Sequence, residues 1–120
     1  MRNYRNLEVW KLGILLVKEI YALSNNFPND EKFGLSSQIK RAAVSIPSNI
    51  AEGYGRGSDK DFRRFLLIAR GSLYELETQI TIATELGFIN KSQEIEELTE
   101  HLYAKLHRLT NSLNVLPSKN

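Results

Sequence analysis

Cysteine is absent from this chain. That excludes a disulfide framework, a thiolate nucleophile and a thiolate metal site, and it suits a reducing compartment. No long apolar run occurs either: the greasiest stretch, Leu12 to Val17, is cut short by Lys18 and Glu19. A membrane span needs about 20 apolar residues, and a secretory signal needs an unbroken apolar region before a small-residue cleavage site. Neither is found, so the expectation is a cytoplasmic protein with no membrane partner. Histidine is confined to His101 and His107, whose spacing puts them on different faces of a helix. No Glu-x-x-His pair exists to build the di-iron centre that some helical bundles carry. Glu97 and His101 share a face at i,i+4, a spacing used more often for a surface hydrogen bond than for a metal. No serine or threonine stands in a recognisable nucleophile setting. The chain therefore reads as a non-enzyme that calls for no cofactor.

Proline is scarce, at positions 28, 47 and 117, and the turn-forming residues collect at Asn25–Asp30, Gly53–Ser58 and Gly87–Ser92. Between them the apolar residues recur at helical rather than alternating spacing. With 120 residues, 42% hydrophobic and 25% charged, one domain with an adequate core is expected. The predicted fold is all-α, an antiparallel up-down four-helix bundle with helices over about 7–24, 36–54, 58–87 and 92–115 and a frayed tail after Leu116. Asn6 is the expected N-cap of the first helix, Ser58 of the third, in a Ser58-x-x-Asp61 capping box, and Ser92 of the fourth. Pro47 falls inside helix two, where it removes a donor and crowds the preceding turn. A kink near Ala43–Pro47 is predicted, with Ser45 or Ser48 serving the freed carbonyl.

Helix one has more apolar surface than a lone bundle helix needs. Leu7, Trp10, Ile14, Val17 and Tyr21 read as the core seam, while Val9, Leu12, Leu16, Ile20 and Leu23 make a second row. A surface helix buries a stripe only a little wider than about 100°. The surplus must be covered, either by a central position in the bundle or by another subunit. Val9, Leu12, Leu16 and Ile20 are accordingly the predicted oligomer interface.

The net charge is only +2, yet it is unevenly spread. Residues 40–70 hold seven basic and three acidic side chains, and residues 71–100 hold seven acidic ones against Lys91 alone. One region should be electropositive and another electronegative.

The run Gln38-Ile-Lys-Arg41-Ala-Ala-Val-Ser45-Ile-Pro47-Ser-Asn49-Ile-Ala-Glu52-Gly53-Tyr-Gly-Arg56, with Phe65 to Gly71-Ser-Leu-Tyr-Glu75-Leu further on, is distinctive. It resembles the signature of the bacterial four-helix-bundle proteins encoded in intervening sequences of large-subunit (23S) rRNA genes. Leu7-Glu-Val-Trp10-Lys and Phe27-Pro28-x-x-Glu31 also resemble that family's pattern, and the similarity spans about residues 4–115. The resemblance implies an up-down bundle that assembles as a homopentamer, with no established molecular function. More distantly, the chain is similar to the accessory variability protein of diversity-generating retroelements, a basic pentameric barrel that binds nucleic acid and a reverse transcriptase.

Two polar constellations are candidates for binding. Gln38, Arg41, Ser45, Asn49, Glu52 and Arg56 share a narrow sector of helix two. A short turn near Arg56–Gly57 would pair residues of helices two and three whose numbers sum to about 113, bringing Arg64 and Glu75 to this stripe. Arg41, Asn49, Glu52, Arg56 and Arg64 then form either an anion site or a structural network with Arg41–Glu75 and Arg64–Glu52 pairs. Lys60, Arg63, Arg64 and Arg70, with Tyr54 and Tyr74, form a candidate nucleic-acid patch. The Gly53–Ser58 loop before a helix looks like a phosphate cradle, but it lacks a preceding strand and the Lys-Ser/Thr of a nucleotide loop. Helix stop and tight turn explain its glycines better.

The function expected is a homo-oligomeric, pentameric interaction or scaffold module. Its partners would be other copies of itself and RNA, DNA or a nucleic-acid-binding protein. The alternative is a protein-only scaffold with no nucleic-acid role.

Overall fold

A computed structural model describes residues 3–113. After a 3-10 turn, Asn3–Asn6, four helices follow: α1 Glu8–Ser24, α2 Leu35–Gly55, α3 Asp59–Glu85 and α4 Gln93–Ser112. A further 3-10 turn, Asn29–Glu31, lies between α1 and α2. Consecutive helices lie backbone to backbone, α4 closes onto α1 in the same way, and neither diagonal pair brings Cα atoms within 8 Å among the described residues. That ring of neighbours, joined by short connections, is the up-down four-helix bundle. The α1–α2 and α3–α4 loops share one end, where Phe27 and Phe88 meet with ring centroids 6.0 Å apart. The last predicted residues of helix four, 114–115, and the tail after Leu116 lie outside the described residues.

Helix starts and stops follow from local chemistry. Ser58 and Ser92 accept hydrogen bonds from the backbone N–H of Asp61 and Ile95 at 3.1 and 3.2 Å, so both serve as the expected N-caps. Helix three ends in a Schellman arrangement: Phe88 N–H donates to Ala83 O and Gly87 N–H to Thr84 O, with Gly87 at φ +79°. Asn6 does not cap helix one. It closes the 3-10 turn, and Leu7 occupies the cap position without a side-chain acceptor. Helix two opens on a cap supplied from upstream, the Glu31 carboxylate accepting from Leu35 N–H at 3.2 Å.

The core corrects the assignment of the two apolar rows on α1. Val9, Leu16 and Ile20 are buried within the subunit, and Leu12 packs partly buried against them. Val9, Leu16 and Ile20 are interior, not the surface offered to another copy, and Leu12 is half-buried. The row read as the seam lies toward the outside: Ile14 and Tyr21 are exposed, and Leu7, Trp10 and Val17 are half-buried. Two rows about 140° apart can each face inward. The choice is made by the two neighbours of α1: its Gly13 edge lies over Pro47 of α2 and its Glu8 edge meets Lys105 of α4, and the Val9–Leu16–Ile20 row lies between those edges.

Helix two runs unbroken through Pro47. The Ser45 hydroxyl donates to the Ala42 carbonyl at 3.2 Å and shares a hydrogen bond with the Ser72 hydroxyl. It therefore serves the carbonyl one residue before the one Pro47 deprives. The small buried residues Ala42, Ala43 and Gly53 let α2 lie close to its neighbours, and α2 with α3 forms the most extensive helix pair.

Candidate functional site

The α2–α3 register decides where the polar stripe of α2 goes. Ser45 meets Ser72, Gly53 abuts Phe65, and Tyr54 packs edge-on against Phe62 at 5.5 Å. The pairing is shifted by about one helical turn from the predicted one; α2 ends at Gly55, Gly57 at φ +90° makes the turn, and α3 begins at Asp59. Arg41 therefore does not pair with Glu75, nor Arg64 with Glu52. Instead Arg56 pairs with Glu52 at 2.9 Å and Arg64 with Asp61 at 3.6 Å, each within its own helix. Glu75 accepts from Gln79 at 3.3 Å.

The five residues proposed as an anion site are thus divided. Arg56 and Arg64 converge on the Phe65 ring, 4.8 and 4.6 Å from its centroid, with Glu52 and Asp61 balancing their charge. Asn49 is turned to its own helix, donating to Ser45 O at 2.8 Å. Arg41 stands elsewhere, in a groove against α1 described below. The hairpin tip is consequently a cation–π clamp around a buried ring, a packing device whose arginines already hold carboxylates.

The nucleic-acid patch is divided too. Arg63 and Arg70, seven residues apart, share one face of α3, whereas Arg64 lies a step of about 100° away on the side of Asp61 and Phe65. Lys60 is exposed, while Arg63 and Arg70 are partly buried and the Arg63 Nε is enclosed without a hydrogen-bond partner. Tyr74 lies against Tyr103 of α4, ring centroids 5.7 Å apart, and Tyr103 stacks on His107 at 5.9 Å. Tyr54 packs on Phe62. These aromatics belong to helix seams rather than to one basic surface.

A different basic and aromatic surface is present where α1 ends and α2 begins. A groove of about 580 Å³ is lined by Tyr21, Lys32, Phe33, Ser37, Lys40, Arg41, Val44 and Ser45. Phe33 is 89% exposed and Tyr21 46%. Lys40 Nζ sits 5.1 Å above the Tyr21 ring and Lys32 Nζ 5.6 Å above Phe33. No carboxylate lines the groove, and none of its three cations forms an ion pair among the described residues. Sequence reasoning missed it by placing Tyr21 in the core and passing over Lys32-Phe33. An apolar aromatic beside a lysine in a helix connection is the signal that was there.

Among the described residues no three His, Asp or Glu side chains converge as a metal site, and no helix is long and apolar enough to cross a membrane. His107 lies 3.2 Å from the Asn111 amide, and Glu97 accepts from Gln93 at 3.0 Å.

Comparison with known proteins agrees with the architecture. The structure is similar to that of a protein of unknown function from the S23 ribosomal protein family of Bacteroides thetaiotaomicron, with a TM-score of 0.63 and 25% identity. The match covers 88% of this chain and 94% of that one. No curated protein matches the sequence. The likeness to the retroelement accessory protein gains no support from these matches. Residues 5–112 match the model of the 23S rRNA-intervening sequence proteins, nearly the whole described bundle, and the chain belongs to that family.

Proposed function

We propose that this protein is a self-assembling helical scaffold, five subunits to a ring, that makes contact with nucleic acid or a ribonucleoprotein. The observation that carries the assembly is apolar surface left over after the core is complete. Ile14, Leu15, Ile68, Ile82 and Leu86 are all 36% exposed or more, on a subunit that has already buried Leu16, Ile20, Ile39, Ile46, Leu66, Leu73 and Leu102 completely. Single exposed aliphatics are ordinary; recurrence on α1 and along α3 is what favours a partner of the same kind. The ring size comes from the family resemblance, and a ring multiplies weak contacts to an extended ligand. Light scattering across a range of concentrations tests the reading. A mass of five subunits is expected, and a single-subunit mass at every concentration overturns it. Copurifying RNA that nuclease removes would favour nucleic-acid contact over a protein-only scaffold, the second reading.

A further inference from the structure

We infer that the groove between the end of α1 and the first half of α2 binds single-stranded nucleic acid, with Tyr21 and Phe33 as stacking surfaces and Lys32, Lys40 and Arg41 as phosphate donors. This rests on the nucleic-acid part of the function proposed above and gives it a location other than the arginines of α3.

Charge comes first. All three charged residues lining the groove are cationic, and none forms an ion pair among the described residues. Cations at the hairpin tip, by contrast, are held by Glu52 and Asp61. A polyanion entering the groove meets no carboxylate and breaks no ion pair. Each phosphate neutralised also releases condensed counterions.

Shape selects among polyanions. Phe33 is 89% exposed, an apolar ring with a face free for a second flat partner. Tyr21, 46% exposed, stands in the same groove with Lys40 against its ring. Aromatic faces beside cations suit unpaired bases, which stack irrespective of sequence. Duplex bases are already stacked on one another and offer no such face. From Ser37 to Ser45 the α2 wall runs about 12 Å at about 1.5 Å per residue, enough for roughly three stacked nucleotides at about 3.4 Å each. So short a site binds weakly alone, and several copies on one strand would bind far more tightly.

The test is fluorescence anisotropy with labelled oligouridine and oligothymidine of about 12 nucleotides, over a salt series. Wild type is compared with Phe33→Ala, with Lys32→Gln/Lys40→Gln, and with Lys60→Gln/Arg70→Gln. Phe33 is so exposed that its removal should leave the circular dichroism and thermal midpoint unchanged. Phe33→Ala should weaken binding roughly five- to hundredfold. The groove double variant should reduce the slope of log affinity against log salt by about 1 to 2, and Lys60→Gln/Arg70→Gln should change both far less. No binding by wild type at low salt removes the nucleic-acid reading altogether. Loss of binding only in Lys60→Gln/Arg70→Gln keeps that reading and removes the groove. Displacement of the oligonucleotide by an equal concentration of short polyglutamate makes the groove a peptide site, and a changed assembly mass in Phe33→Ala makes it an interface between copies. Either result overturns the proposal.

Discussion

A Cβ placed on Gly53 would lie 2.4 Å from the Cβ of Phe65, closer than real side chains come. Gly71, also helical, has nothing within 4 Å of such an atom and is exposed. The two glycines should therefore respond oppositely to alanine. Gly53→Ala must push α3 away from α2 and is expected to cost about 1–3 kcal/mol. Gly71→Ala gains helix propensity and is expected to stabilise by about 0.5–1 kcal/mol. Urea denaturation of both variants checks the pair. A second residue-scale expectation concerns Glu8, which joins α1 to α4 through Lys105 at 2.9 Å. The hydrogen bond from Lys105, then its charge, holds the Glu8 carboxyl below its ordinary 4.5. A carboxyl depressed in the folded state binds fewer protons there than in the unfolded chain. Its contribution is complete above the unfolded value and fades as pH falls through the lower folded one. The melting-temperature gap between wild type and Glu8→Gln should be small at neutral pH, shrink further below pH 4.5, and narrow with added salt. A gap that widens in acid would contradict the pair's role.

Between the helices, position depends on a turn that is hard to count from residue types. The Gly53–Ser58 loop marked the hairpin correctly, but three glycines left several places where the helix could stop. With the register shifted by about one turn, Arg41 does not meet Glu75 and lines the groove with Tyr21 of α1 instead. The absence of cysteine makes the register directly testable. Ser45→Cys/Ser72→Cys should form a disulfide under mild oxidation, since the two hydroxyls touch. Arg41→Cys/Ser72→Cys, the pair of the register expected from the turn, should not. Caps were easier to read than pairings, because a cap depends on neighbours three residues away. Ser58→Ala and Ser92→Ala are each expected to cost about 1 kcal/mol, measurable as a shifted urea midpoint. The α1 seam was illegible for the opposite reason. Nothing local distinguishes the Val9–Leu16–Ile20 row from the Trp10–Ile14–Tyr21 row; the placing of α1 between α2 and α4, through Gly13 over Pro47 and Glu8 with Lys105, does. The anion site inherited the register error, since it joined α2 to α3, whereas the nucleic-acid patch grouped arginines that lie on different faces of α3 itself.

At the scale of the whole molecule, the exposed aliphatics do not lie on one patch. Ile14 and Leu15 belong to α1, whereas Ile68 and Ile82 belong to α3 and Leu86 caps its C-terminal end. In a bundle where α1 and α3 are diagonal, with no Cα atoms within 8 Å of each other among the described residues, these are different faces. A two-fold dimer would bring one patch against its own copy; a closed ring needs two unlike patches, each meeting the other on the next subunit. The placement suits a ring, and mixing variants can test it without knowing the ring size. Ile14→Lys/Leu15→Lys spoils one face and Ile82→Lys/Leu86→Lys the other. All four side chains are already exposed, so each variant should fold. Alone, each should be a monomer by light scattering, because every contact would need the face it has lost. Mixed in equal amounts, the two should yield a heterodimer and nothing larger, since one intact α1 face meets one intact α3 face and both outer ends are blocked. If the two faces each paired with their own kind, each variant alone would dimerise through its untouched face, and the ring would have to be abandoned.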